Sequence, residues 1–184
     1  MATEGQGRLR PSLSRAPPTF NRGSLQQATM MRRDEHRRLT IMIDYLFGRN
    51  VSKSIPKEGM RLEYSRRSGR VKLVYHNEKL FATVRPNGSM ALSVYGATLL
   101  SRGAPFLKNC VTVADDAVPF VKGGRSVFCK FVTKAGIRVG PKSDVAVLDS
   151  SGRVIGVGMA VMAGPFMAQF KSGAAVKVRE GLSS

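Results

Sequence analysis

The sequence predicts an α+β fold: a small α/β module, then a β pseudobarrel, behind a disordered basic N-terminal arm. Three observations predict it. Apolar residues keep helical spacing over one stretch, with Leu39, Met42, Ile43 and Leu46 at i, i+3, i+4 and i+7. From Asn109 onward, short apolar strands recur roughly every ten residues between turn signals, the rhythm of a compact barrel. Residues 1–33 hold Pro11, Pro17 and Pro18, three glycines and six arginines, with almost no apolar periodicity. Such a segment buries too little to fold.

Composition narrows the function. The 184 residues suffice for one large or two small domains, and 42% hydrophobic residues supply a core. The formal charge of +18 exceeds what solubility requires and points to a polyanion, nucleic acid or an acidic membrane surface. The basic residues are interleaved with apolar strands, which argues against histone-like packing. No run of 18 apolar residues exists, so no membrane span or membrane partner is expected. The N-terminal arginines lead into no apolar h-region, so a cytoplasmic protein is expected, with Met30–Met31 as an alternative start. Cys110, Cys129, His36 and His76 lack the spacing of a four-ligand zinc site, so no metal or cofactor is implied. The two cysteines are expected as buried thiols.

The elements follow in order. Residues 1–33 form the arm. In residues 34–108, Asp34 and Glu35 sit at a helix start, where carboxylates suit the dipole, and Gly48 ends the helix. Arg32, Arg33, Arg37 and Arg38 lie on its N-terminal side. Strands are expected at Met60–Tyr64, Val71–Tyr75, Leu80–Arg85 and Met90–Val94. The basic turn Arg66–Arg67–Ser68–Gly69–Arg70 separates the first two, and Pro86–Asn87–Gly88 the last two. A short helix spans Gly96–Ser101. In residues 109–184, strands are expected at Cys110–Val113, Ser126–Val132, Asp144–Leu148, Val154–Val161 and Ala174–Arg179. Asp149–Gly152 reads as a hairpin turn. Ala117–Lys122 and Gly164–Phe170 read as short helical segments.

The functional reading is organised around Pro119–Gly140. Gly123–Gly124 runs straight into Arg125, among Lys122, Lys130, Lys134 and Arg138. Glycine permits positive φ and close backbone approach. A glycine step among cations can present N–H groups and charge to phosphates; the alternative is an ordinary turn feeding a buried strand. The expected RNA edge is Lys122, Gly123, Gly124, Arg125, Lys130 and Lys134. Gly158 and Ala160 are the small residues that allow close approach, and Lys177 and Arg179 alternate onto one face of the last strand. Phe128 and Phe131 are expected on opposite faces of one strand, one of them in the core. Phe166 and Phe170 read as a helical packing stripe.

Several of these segments resemble a known family. Gly123–Phe128, Ile137–Gly140, Asp144–Val147, Gly152–Ala160 and Gly173–Arg179 look like a PUA domain, which makes the second module a PUA-like pseudobarrel. Asp44–Gly48, the Ser65–Arg70 turn, Ala82–Pro86 and Val118–Val121 look like the C-terminal RNA-binding part, C2 plus PUA, of the archaeosine tRNA-guanine transglycosylase and archaeosine synthase family. The resemblance covers roughly residues 40–181. It implies RNA binding in tRNA modification, with the PUA-like module holding the acceptor stem and 3′ end of tRNA. The family's chemistry sits on a TIM barrel of about 200 residues or more, for which this chain has no room. The alternative is a non-catalytic subunit that docks on a separate catalytic transglycosylase or amidotransferase chain. Catalysis by the chain itself is not expected. The adjacent Asp115–Asp116 pair is better explained as a cap for Ala117–Lys122, and the cysteines and histidines are far apart in sequence.

Overall fold

A computed structural model describes residues 22–183 except residue 57. The disordered arm expected over residues 1–33 lies outside the described residues up to residue 21, and over residues 22–33 it is corrected, because that stretch is helical. Helix α1 spans Arg22–Phe47. It starts earlier than the Asp34 start expected from the carboxylates. Residues 24–33, SLQQATMMRR, contain good helix formers and neither Gly nor Pro, so nothing in them stops a helix. The helix ends as expected at Gly48, whose φ is +113°. Leu39, Ile43 and Phe47 bury its inner face.

A four-stranded antiparallel meander follows: β1 Met60–Tyr64, β2 Val71–His76, β3 Lys79–Val84 and β4 Met90–Leu92. The β2–β3 hairpin turns on Asn77 and Glu78, both at positive φ, the two-residue geometry that matches strand twist. Helix α2, Val94–Ser101, is capped by Ser93, whose hydroxyl accepts from the Gly96 N–H at 3.0 Å.

The remaining strands are β5 Cys110–Val113, β6 Val127–Phe128, β7 Val132–Ala135, β8 Asp144–Leu148, β9 Val154–Ala160 and β10 Ala174–Gly181. They form one nearly closed, barrel-like sheet in the order β6-β10-β9-β8-β5-β7. Only β5 and β8 pair in parallel. Helices α3, Val118–Lys122, and α4, Gly164–Met167, are short. The expected strand Ser126–Val132 is broken by a 3-10 turn at Cys129–Phe131, at whose start the Cys129 N–H bonds the Gly173 carbonyl at 2.9 Å. The expected cap is also absent. Neither Asp115 nor Asp116 caps α3; they lie in a 3-10 turn, and Asp115 accepts from the Ser150 hydroxyl at 2.6 Å.

Strand β8 explains how the two halves share one body. Val145 and Val147 point into the barrel core with Val111, Ile155 and Val176. Ala146 and Leu148 join the other core, against Leu39, Phe81 and Phe106. A strand buried on both faces reads as continuous apolar sequence, as Val145–Leu148 does. At its start, Asp144 has a side chain only 6% exposed, and it binds two arginines: Arg85 from the end of β3 and Arg179 from β10. Arg179 also donates to the Leu92 carbonyl.

Removing one partner of a buried charge cluster leaves the rest uncompensated. Asp144→Ala is expected to lower the unfolding free energy by about 2–4 kcal/mol in urea titration, the arginines' partial exposure moderating the loss. Glu78→Ala, which breaks an exposed pair with Arg61, is expected to cost under about 1 kcal/mol.

Asp149 adds a pH term. Burial raises its carboxyl pKa, but bonds from the Ser151 hydroxyl and from the Arg153 N–H and guanidinium outweigh this, so the pKa falls below its ordinary value. A depressed folded pKa gives stability that is present above the unfolded value and lost as pH falls through the folded one. Asp149→Asn is therefore expected to destabilise at pH 7 and to flatten the stability loss below about pH 4, measured by urea unfolding across that range.

Candidate nucleic-acid interface

The glycine pair closes a helix. Gly124 has φ +80°, a region a β-branched residue tolerates poorly. Its N–H bonds the Val121 carbonyl at 2.9 Å, and the Arg125 N–H bonds the Phe120 carbonyl at 2.9 Å. This is the Schellman pattern that satisfies orphan carbonyls at a helix end. The Gly123 N–H bonds Pro119 at 3.2 Å. All three donors expected to face phosphate are thus used inside the cap. The glycines set the shape here, and the side chains present the charge.

That charge borders an aromatic cavity of about 240 Å³. Phe120 is 52% and Phe128 49% exposed, and Phe131 is half-buried. The Arg125 guanidinium lies 5.9 Å from the Phe120 ring centre, and the Lys130 ammonium 4.7 Å from that of Phe131. Neither cation has a carboxylate partner among the described residues. The 3-10 turn brings Phe128 and Phe131 to one cavity, where a continuous strand would have sent them to opposite faces. Phe131 is partly buried against the barrel core while Phe128 is exposed, and Cys129 between them is a core residue. Phe120 was missed by sequence reasoning. Its signal was an aromatic two residues before the helix end, next to Val121, which the core buries.

The other expected residues scatter. Lys122 is half-buried, and its carbonyl accepts from the Ser183 N–H. Lys134 lines a separate cavity with Thr112, Asp149 and Ser150. Lys177 is exposed on β10, opposite Met159. Arg179 is held by Asp144. Gly158 and Ala160 are buried; a Cβ on Gly158 would lie 2.3 Å from the Lys177 carbonyl oxygen, so its smallness serves strand packing. Phe166 and Phe170 are 54% and 52% exposed, which corrects the packing-stripe expectation; α4 ends before Phe170. Cys110 and Cys129 are free and buried, and burial pushes the Cys110 thiol up to about 12, which keeps it protonated. His76 is committed to Tyr95 through its Nδ1. No group of three or more metal-binding side chains is assembled among the described residues.

Comparison with known proteins matches the two halves separately. Residues 37–106 match the patch-forming domain C2 of tRNA-guanine transglycosylase, and residues 109–182 match the PUA domain. The chain joins a transglycosylase C2 domain to a PUA domain. The tRNA-guanine(15) transglycosylase of Pyrococcus abyssi is 37% identical over 141 residues, which are 76% of this chain and 24% of that one. The Thermoplasma volcanium protein of the same name is 30% identical over 145 residues, 78% and 23% of the two chains. The match is to their C-terminal part, so this chain spans about a quarter of their length. A hypothetical protein of Pyrococcus horikoshii shares the fold, with TM-score 0.63 and 22% identity over 80% of this chain and 90% of that one. The cavity between α3 and β6 thus lies within the PUA domain, and the Asp144 cluster joins PUA to C2.

The cap analysis separates shape from charge. Gly124→Val is expected to cost about 1–3 kcal/mol through positive-φ strain, lowering the thermal midpoint by several degrees. Arg125→Ala is expected to leave it within about 1 °C, since its surface contact carries under 0.5 kcal/mol or so.

Proposed function

We propose that the chain binds structured tRNA in the context of tRNA modification, with the PUA-domain cavity receiving the acceptor stem and its 3′ end. The observation that carries this reading is the cavity itself: two exposed phenylalanines and a third at its base, rimmed by two cations without carboxylate partners. Duplex RNA is held by phosphate and 2′-OH contacts, and single-stranded ends stack their bases on aromatics. A stacked base contributes about 1–3 kcal/mol. The PUA match and the relatives named as tRNA-guanine(15) transglycosylases support RNA as the ligand.

The chain acts without catalysing, in the cytoplasm. Among the described residues, no helix is long and apolar enough to cross a membrane. A second reading, the non-catalytic subunit of a separate transglycosylase or amidotransferase, is favoured by one observation. Ile41, Tyr45 and Ile137 are 61%, 83% and 74% exposed, and Ile41 and Tyr45 share a helix face at i and i+4.

The test is equilibrium binding of a tRNA transcript, with and without its single-stranded 3′ end. Arg125→Ala and Lys130→Ala are each expected to weaken intact tRNA about fivefold or more at low salt. The log–log salt slope should fall by about 0.7–0.9 for each phosphate released. Phe120→Ala should weaken intact tRNA and leave the truncated RNA unaffected. Equal affinity for the two RNAs would remove the 3′ end from the reading, and salt-independent binding would remove the phosphates.

A further inference from the structure

Helix α1 has two apolar faces, and the fold covers only one of them. Leu39, Ile43 and Phe47 sink into the core, while Ile41 and Tyr45 stand outward, 61% and 83% exposed. Tyr45 is the most exposed large apolar side chain among the described residues. The outward face continues past the end of the helix. Arg138 of the PUA domain lies against that end: a Cβ on Gly48 would meet the Arg138 guanidinium carbon at 3.2 Å. The Arg138 N–H bonds the Lys108 carbonyl at 3.0 Å. Two further exposed apolar residues, Ile137 and Leu107, sit next to these bonded positions. The face therefore spans both domains, which β8 holds in one fixed relation.

Its rim is basic. Arg37, one turn before Ile41, and Arg49, Lys108 and Arg138 are all exposed. None of the four has a carboxylate partner among the described residues. Two carboxylates come near. Asp44 is occupied, accepting from the Ser52 N–H at 2.8 Å. Asp34 stands seven residues before Ile41, at the far end of the stripe.

An apolar stripe inside a basic rim discriminates among occupants. RNA would engage the rim through its phosphates and leave Ile41 and Tyr45 uncovered. A second copy would set the same basic rim against this one, on a chain already at +18. Residues 1–21 of this chain carry Arg8, Arg10 and Arg15 against a single Glu4, so they are repelled as well. The complement is a helix with an apolar stripe flanked by carboxylates, packed side by side with α1. We propose that this face docks an acidic amphipathic helix of a separate protein chain. Its stripe covers Ile41, Tyr45 and Ile137, and its carboxylates pair with Arg37, Arg49 and Arg138. The proposal rests on the reading of the chain as a subunit. It adds where the other chain sits and what that chain presents.

The experiment measures fluorescence anisotropy of the full chain with a labelled helical peptide of about five turns. The peptide carries leucines at i, i+3, i+4 and i+7 and glutamates on both flanks. A scrambled peptide of the same composition is the control, and a tRNA transcript and phosphatidylglycerol vesicles are competitors. The parent should bind the striped peptide about tenfold or more tighter than the scrambled one. Ile41→Ala/Tyr45→Ala and Arg37→Glu/Arg49→Glu should each weaken it about tenfold or more. The first variant should keep its thermal midpoint and its tRNA affinity, because both side chains are exposed and apolar. No binding of the striped peptide overturns the proposal. So does equal binding of the two peptides, which marks charge attraction alone, or binding that neither variant weakens. Vesicles or tRNA that displace the peptide from the parent, and themselves bind the first variant more weakly, also overturn it and assign the face to membrane or RNA. The subunit reading is tested apart, by isolating the tagged parent and the first variant from native cells. A catalytic chain retained equally by both keeps that reading and overturns the face. If no catalytic chain is retained while the peptides discriminate as described, the subunit reading falls and the face stands.

Discussion

One carboxylate holds the two domains in a single geometry. Asp144 opens β8, has an almost fully buried side chain, and accepts from Arg85 of the C2 sheet and Arg179 of the closing PUA strand. Coulomb attraction at such distances is strong where water is excluded, and two guanidinium groups satisfy the oxygens that burial would otherwise leave costly. Around this point the apolar surfaces follow. Ala146 and Leu148 continue the C2 core, and Val145 and Val147 the barrel core. The domains are therefore fused through one strand, and a surface on one keeps its position relative to a surface on the other. That matters for a long, shaped ligand such as tRNA, because two weak contacts act together only when their spacing is fixed.

The interface shows a division of labour between backbone and side chains. The Gly123–Gly124 step ends α3 and consumes its own N–H groups, so any anion nearby meets Arg125 and Lys130 instead. Both cations also lie near aromatic faces. A guanidinium or ammonium near a ring keeps its charge and offers a flat partner a mixed surface. The cavity suits a nucleotide, with its charged phosphate and planar base, better than a simple anion.

Much of the fold was legible because its signals are local. Strands β1, β5 and β8 and the hairpin after Leu148 follow from apolar patterning and turn residues within a few positions. The helical face of Leu39 to Leu46 was equally plain. What the sequence hid depends on distant partners. The break between β6 and β7 carries no Gly or Pro, so nothing local announces it, and its first residue is bonded to Gly173, more than forty residues on. Arg179 alternates with Lys177 like a free surface cation, but its partner Asp144 lies 35 positions earlier. Phe128 and Phe131 have strand spacing and lie on one side only because of that same break. The glycine pair was found, but whether its N–H groups faced inward or outward depended on where α3 ended.

Contact between the PUA cavity and the 3′ end of tRNA, as proposed, is open to direct measurement. Photo-cross-linking tests it most directly, using a tRNA with a photoreactive base at its 3′-terminal nucleotide and mapping the adducts by mass spectrometry. The account predicts adducts on Phe120, Phe128 or Phe131, abolished when Arg125 and Lys130 are both replaced by alanine. Adducts confined to the β7 side of the barrel, around Lys134, or undiminished by that double substitution, would contradict it.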